Sequence, residues 1–513
     1  MNLSSLLSEN VERCGEYPLL HYQGETITNR ELEQTVNRVA SGLSELGVQP
    51  GDRVALVMGN SPELVASMFA CFKIGAWAMP VVLSLKPYEF ALILDDAEPT
   101  TLIAQTMFCD CLQLPEKKEG AISYKVMVGK GKLPEGWMRW DDWLVGQNDR
   151  FQEKDCEPDD VALLLYTSGT TGSPKGVLLS HMNLYSNAMN SARSQGLKQG
   201  EKSLAVLPLN HSFGITAFLA SVVYGMEVVL MPRFDPVQVM ESIARFQVEG
   251  TAMVPTMLAF MLECPDRDKF DLKSLKKIVV GAAPLSPRLR ERFEKEYPHV
   301  RILEAYGLTE AGPAVTVTRP DQPDRPGSVG QSLENQEVCI MSPEENILGP
   351  GQVGEVCTRG PHVMAGYYHR PRETAEAVRD GWLHTGDAGY LDRDGYLYLT
   401  ERMKDLIIRG GENVYPSDVE SVLRDHYAVK DCAVVGVPHE IYGEEVVAVV
   451  VKKQDTEVTA EELLDYCREN LAPYQVPTRI IFSTILPKTP MGKVRKKDLR
   501  NQVGGMVSSG ESS

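Results

Sequence analysis

Strand-like and helical segments alternate along most of this chain, which predicts an α/β fold of parallel sheets with helices packed against them. Its 513 residues exceed one ordinary core, so two or more domains are expected. The rhythm also changes twice. After about residue 325 the strands shorten and turns such as Asp392-Arg-Asp-Gly395 intervene, predicting a small β-rich subdomain. After residue 405 a fresh α/β unit begins.

The elements follow in order. Residues 28–46 carry apolar side chains at helical spacing behind a cap-like Thr28, and 53–57 are strand-like. A helix is expected over 61–73 behind Ser61, then an apolar strand near 78–82. The theme repeats at 203–207, 228–231, 237–246, 252–254, 277–280 and 287–297. In the last unit, 416–426 and 459–471 read as helices and 432–437 and 446–451 as strands. The most membrane-like stretch is 214–232, yet Gly225 and Glu227 interrupt it and Pro232 ends it. A buried helix running into a buried strand fits better than a span. Residues 503–513, rich in Gly and Ser, are expected to be disordered.

Composition narrows the function. A formal net charge of −18 argues against a nucleic-acid surface, which needs a basic stripe, and against sustained binding to anionic membrane. The ten cysteines include no C-x-x-C pair, and Cys109 and Cys111 have no partners for a zinc site. Free thiols in a reducing cytoplasm are expected. The first ten residues lack a basic segment and a long apolar core, so they do not read as a secretory signal.

The most informative stretch is 165–180. An apolar run, 161–166, feeds a loop of Thr167, Ser168, Gly169, Thr170, Thr171, Gly172, Ser173 and Pro174 that ends at Lys175. Glycines let the backbone approach a ligand closely, successive N–H groups form an anion-binding concavity, and Lys175 adds a full charge. Such a loop suits a polyphosphate. A plain solvated loop is the bland alternative. A Walker P-loop fails on chemistry: Pro174 has no N–H where the second glycine should be, and Gly176 lacks the hydroxyl that would hold Mg²⁺.

This string resembles the phosphate loop of the adenylate-forming superfamily of acyl-CoA synthetases, luciferases and adenylation domains. Matching motifs occur in order from about residue 10 to 500. The resemblance implies a large N-terminal domain, 1–403, of parallel-sheet αβα subdomains with a small β-barrel-like subdomain. A small mobile α+β C-terminal domain, 404–502, would follow, hinged at Lys404. Thr167 to Lys175 would bind ATP, in a site locally basic within an acidic protein.

Other residues take roles by the same resemblance. His211, Phe213 and Gly214 would line the acyl pocket, His211 also gating the path between carboxylate and thiol. Gly281, Ala282, Ala283 and Pro284 would contact the adenine, Ala282 also bordering the acyl pocket; by sequence alone the segment is a helix entry, with Pro287 behind the cap Ser286. In Tyr306-Gly307-Leu-Thr309-Glu310 a ring, a hydroxyl and a carboxylate suit nucleotide and metal. Thr309 would meet the α-phosphate and Glu310 would hold Mg²⁺. Asp387 and Arg402 would take the ribose hydroxyls. Gly410, Gly411 and Glu412, a tight turn on sequence grounds, would wall a tunnel for CoA. Lys493 follows a flexible Pro-Met-Gly and would bridge the substrate carboxylate and the nucleotide, as the main catalytic charge.

The implied reaction runs in two steps. A carboxylate attacks the α-phosphorus of ATP to give an acyl-adenylate and pyrophosphate, and then a thiol displaces AMP. CoA is the expected acceptor, with a separate acyl-carrier protein as the alternative. A non-catalytic binding member would lack Lys493, Glu310 or Lys175, and all three are present. No aspartate in 210–214 awaits an α-amine, and no cation in 281–285 or 211–214 awaits a second carboxylate. A medium- or long-chain fatty acid is therefore expected, as in bacterial fatty-acid–CoA ligases, with an aryl acid such as a cinnamate or benzoate as the alternative. A monomer or homodimer is expected.

Overall fold

The computed structural model describes residues 2–509 apart from 84, 86, 110–111, 113–121, 168–173, 403–404, 406, 410–411, 440–441, 455 and 489–493. The chain packs as two compact units, Met1–Val338 with Thr358–His384, and Cys339–Cys357 with Thr385–Ser513.

The first unit holds two sheets. In one, Arg53–Val57 lies parallel between Trp77–Pro80 and Thr101–Gln105. Val161–Thr167 joins parallel to Trp77–Pro80, and Lys175–Ser180 and Gly366–Tyr367 extend that side antiparallel. The other has six parallel neighbours: Pro18–Tyr22, Glu227–Leu230, Lys202–Ala205, Gly250–Met253, Lys277–Val280 and Arg301–Gly307. Strands with helices on both faces lose the polar alternation, and Val54, Ala55 and Leu56 are fully buried.

Local chemistry sets the helix starts. The Thr28 hydroxyl accepts from Glu31 N while the Glu31 carboxylate accepts from Thr28 N, a reciprocal cap for Asn29–Glu45. Ser61 accepts from Leu64 N ahead of Pro62–Ile74. The 214–232 stretch resolves as the buried helix Ser212–Tyr224, ended by Gly225 at φ 67°, and the strand Glu227–Leu230. Among the described residues no helix is long and apolar enough to cross a membrane.

Pleating divides the second sheet's side chains. Ile278, Met253, Leu204 and Ile302 face one core with Val239, Ile243, Leu258 and Phe293 from the helices. The alternate residues Val279, Ala252, Leu303 and Ala305 face the other side, together with Phe213. That second face borders the candidate site.

Two fully buried histidines bear on stability. His181 Nδ1 accepts from Leu3 N at 3.1 Å, and His362 Nε2 lies 3.0 Å from Thr358 Oγ1. The other ring nitrogen of each has no partner. Burial lowers them from the ordinary 6.5 to about 4 and about 3. The unfolded chain therefore binds protons near pH 6.5 that the folded chain refuses, so stability present above that pH is lost as pH falls towards 4. Each contributes a slope of up to about 1.4 kcal/mol per pH unit. Urea midpoints measured from pH 7.5 down to 5 should fall, and His362→Gln should flatten the slope. A pH-independent midpoint would contradict this reading.

In the second unit, Val429–His439 and Gly443–Lys452 form a long antiparallel pair, with Arg479–Phe482 parallel to the latter. Val434, Val446, Ala448 and Val450 face the helices Pro416–Asp425 and Ala460–Asn470. Val435, Val437, Val447 and Val449 face the opposite side, against Leu499 and Val503. The helix Lys496–Ser509 carries both, and Val503 falls one turn after Leu499 and is buried with it, so the stretch expected to be disordered begins as packed helix.

The short strands expected after 325 are present: Glu337–Met341, Gly354–Arg359, Val378–Arg379, Trp382–Leu391 and Leu397–Arg402 share one sheet. Packing groups residues 385–402 with the carboxyl-terminal stretch rather than with the first unit, in part because the Ser417 hydroxyl donates to Thr400 O at 2.9 Å. Cys14, Cys71, Cys264, Cys432 and Cys467 are free thiols.

Candidate active site

The expected phosphate loop closes a β-hairpin. Val161–Thr167 returns antiparallel as Lys175–Ser180, with Thr167 opposite Lys175 and Tyr166 opposite Gly176. Its tip, including Ser168, Gly169, Thr170, Thr171 and Gly172, lies outside the described residues. A Walker loop passes from a strand into a helix, so topology rejects that reading independently of Pro174. Gly176 carries no side chain because a Cβ there would stand 2.7 Å from Leu164 Cδ1 and 3.3 Å from Tyr368 Cβ.

Gly366–Tyr367 lies antiparallel beside the returning strand, Tyr367 opposite Val177. From there the Tyr367 hydroxyl donates to Glu310 Oε1 at 2.8 Å, and Lys175 Nζ sits 5.0 Å from the Tyr367 ring centre. Burial first, and the Glu310 carboxylate second, push the phenol's pKa well up, so it stays a donor. The hairpin is braced from behind. Tyr166 donates to Asp96 Oδ2 at 2.7 Å, and Arg370 Nη2 donates to Asp96 Oδ1 at 2.9 Å.

Thr309 and Glu310 occupy a short 3₁₀ turn, Thr309–Ala311, after the strand Arg301–Gly307. Thr309 Oγ1 lies 3.1 Å from Ser212 Oγ, and Met364 N donates to Glu310 O at 2.9 Å. Gly307 has to be a glycine, since a Cβ would run into the Pro313 carbonyl. Tyr306 is buried in the strand, so its ring is turned into the protein.

Asn60 fixes the segment before His211, donating to Leu207 O at 2.9 Å and accepting from Leu209 N at 2.8 Å. His211 caps the helix Ser212–Tyr224 by backbone alone, and burial lowers its pKa to about 4. It is a neutral ring at working pH. A Cβ on Gly281 would stand 3.5 Å from the Phe213 ring, so Phe213 lies against that backbone. Gly214 admits the helix start against the Pro208 carbonyl. After Gly281 the loop is exposed at Ala282, Ala283 and Pro284, and Ala282 is held at φ 65°. A left-handed residue that is not glycine costs roughly 1 kcal/mol, a strain typical of ligand-contacting turns. Behind Phe213 runs a mostly apolar pocket between the helix Ser212–Tyr224 and the sheet, lined by Ala217, Ala252, Val279 and Ala305 among others.

In the second unit, Asp387 is directly opposite Arg402 in the ladder of Trp382–Leu391 with Leu397–Arg402. Ile407–Arg409 and Glu412–Val414 form the expected hairpin, with Arg409 opposite Glu412. Lys404, Gly410, Gly411 and Lys493 lie outside the described residues.

These features match one family. The description "AMP-binding enzyme" fits residues 7–368, and "AMP-binding enzyme C-terminal domain" fits 418–493. The chain belongs to the AMP-binding enzyme family. A feruloyl-CoA synthase of an Amycolatopsis species is 36% identical over 490 residues, covering 94% of this chain and 96% of that one. A long-chain-fatty-acid–CoA ligase of Bacillus subtilis is 33% identical, covering 97% and 94%. Among solved structures, the anthranilate CoA ligase AuaEII in complex with anthranoyl-AMP superposes with a TM-score of 0.90 at 29% identity, covering 99% and 98%. The chain is thus an AMP-forming acid–thiol ligase of the acyl-CoA synthetase kind, with the α/β fold of adenylate-forming enzymes.

Of the residues that sequence reasoning named, the first unit brings together Lys175, Thr309 and Glu310 through Tyr367 and Ser212, with His211, Phe213, Gly214 and Gly281 beside them. Tyr367 itself was missed, as were Ser212 and the Tyr166–Asp96–Arg370 brace. Their partners are far away in sequence, so no local pattern marks them.

Proposed function

We propose that this enzyme activates a monocarboxylic acid with an uncharged tail, a medium- or long-chain fatty acid first, as its acyl-adenylate and passes the acyl group to the thiol of CoA. The observation that carries the reading is the mostly apolar pocket behind Phe213, whose lining cation, Lys277, is already paired with Glu201 and so is not free for a second carboxylate. An aryl acid is the second reading. It is favoured by the Phe213 ring lying against the bare Gly281 backbone, a slot suited to a flat group.

In the first half-reaction a carboxylate oxygen of the acid forms a bond to the α-phosphorus of ATP, and the bond to pyrophosphate breaks. Thr309 would donate to the α-phosphate, and Lys175 would hold the departing pyrophosphate. Glu310 suits Mg²⁺: its Oε1 is oriented by Tyr367, and one carboxylate is what Mg²⁺ commonly takes, phosphates and water completing the shell. Bound there, the ion would supply positive charge against the phosphate oxygens. Lys493 would bring fixed charge to the attacked phosphate. Asp387 accepts from the ribose hydroxyls, with Arg402 donating beside it.

In the second half-reaction the thiolate attacks the acyl carbon and AMP leaves. Rotation about Lys404 would withdraw Lys493 and bring in the Gly410–Gly411 turn, so that one small domain serves both steps in alternation. The neutral His211 suits a path the thiol must cross, since a cation there would hold the carboxylate back. Free thiols at Cys14, Cys71, Cys264, Cys432 and Cys467 support a reducing, cytoplasmic setting.

The deciding measurement is acid-dependent pyrophosphate release over saturated and aryl acids, with and without CoA. Release with thioester formation is expected. Release that CoA never accelerates, with no thioester formed, would leave adenylation standing and point to a carrier protein as acceptor.

A further inference from the structure

We infer that the Lys277 side chain closes the far end of the acyl pocket and sets the length of acid the enzyme accepts. The inference rests on the fatty-acid reading above and adds a residue and a length to it.

Along the strand Lys277–Val280 and into Gly281, alternate residues point to the pocket face: Gly281 under Phe213, then Val279, then Lys277. The neighbouring strand sets Ala252 beside Val279 and Gly250 beside Lys277. These small residues make the channel, and the lysine stem ends it. A Cβ on Gly250 would stand 3.3 Å from Lys277 Cε and 3.4 Å from Cγ, so the stem lies flat across that glycine.

The stem is tethered. Lys277 Nζ donates to Gln195 O at 3.2 Å, to Gly196 O at 3.5 Å and to Glu201 Oε2 at 3.2 Å, using all three of its protons. Gln195 and Gly196 directly follow the helix His181–Ser194, whose negative end adds to the hold. The side chain is only 12% exposed, and solvent lies just beyond it. The empty space is about 70 Å³, well under the roughly 150 Å³ of a cavity that holds benzene, so an entering acid has to move side chains. Phe213 and Met226 can turn about their χ angles. Lys277 cannot leave without giving up three hydrogen bonds.

The strand supplies a ruler. Four residues from Gly281 to Lys277 span about 13 Å at roughly 3.3 Å each. An extended alkyl chain advances about 1.25 Å per carbon, so about ten carbons reach the lysine stem.

The test is kcat/KM for saturated acids from hexanoate to octadecanoate, read as pyrophosphate release. The native enzyme should lose at least about tenfold between decanoate and hexadecanoate. Lys277→Ala should recover about tenfold on hexadecanoate while octanoate changes little, and Lys277→Arg should keep the cut-off. Should Lys277→Ala fail to fold, Glu201→Ala, which loosens the tether, should shift the profile the same way. A native enzyme that uses hexadecanoate as well as octanoate overturns the inference, as does a folded Lys277→Ala with an unchanged profile. Failure of the underlying reading looks different: no saturated acid of any length releases pyrophosphate, or aryl acids alone do.

Discussion

Changing Lys493 to alanine is expected to slow acyl-adenylate formation about 10²–10³-fold, while thioester formation from supplied acyl-adenylate continues near its native rate. The size follows from removing one well-placed donor from a phosphoryl centre whose negative charge grows in the transition state, worth about 2.7–4 kcal/mol. The selectivity follows from alternation: a lysine withdrawn before the thiol attacks has no part in the second step. Pyrophosphate release and thioester yield, assayed separately, read the two half-reactions. Equal losses in both would end the alternation reading and leave Lys493 as a general structural or binding residue.

Tyr367→Phe is expected to cost about 10–100-fold in adenylation. The phenol donates to a carboxylate, and hydrogen bonds to charged groups are worth about 1.5–3 kcal/mol. Because the lost bond orients Glu310 rather than touching the acid, the apparent requirement for Mg²⁺ should rise while KM for the acid stays nearly constant. The ring is kept, so its packing beside Lys175 survives and the melting temperature should move little. An unchanged Mg²⁺ dependence would show that Glu310 needs no such positioning.

Much of the fold was legible because its signals are local. Thr28 and Ser61 announce their helices through hydroxyls that reach backbone donors within three residues. The run 446–451 is continuously apolar because both faces of its strand are covered, by helices from different parts of the chain. The start of the tail is harder to read for the complementary reason. Gly504, Gly505 and the serines suggest disorder, while Leu499 and Val503 owe their burial to valines of the distant Val429–His439 and Gly443–Lys452 pair. In the site, Lys175, Thr309 and Glu310 sit in recognisable strings. Tyr367 does not, since its role comes from a two-residue strand pairing across nearly two hundred residues. Lys277 was read as the start of a strand and nothing more; its tether to Gln195, Gly196 and Glu201 appears only when the helix end and the sheet are brought together.

The hairpin setting of the phosphate loop has an electrostatic consequence. A cradle at the start of a helix borrows the aligned peptide dipoles behind it, a field built into the backbone. Between antiparallel strands those dipoles alternate and nearly cancel. Beyond the N–H groups of the loop itself, the long-range attraction for a polyanion then rests on point charges such as the Lys175 ammonium, in a protein whose own charge is −18. Such point charges are screened over about 10 Å at 0.1 M salt. Nucleotide capture by this enzyme should accordingly respond to the ionic strength around it more than a helix-seated phosphate site would.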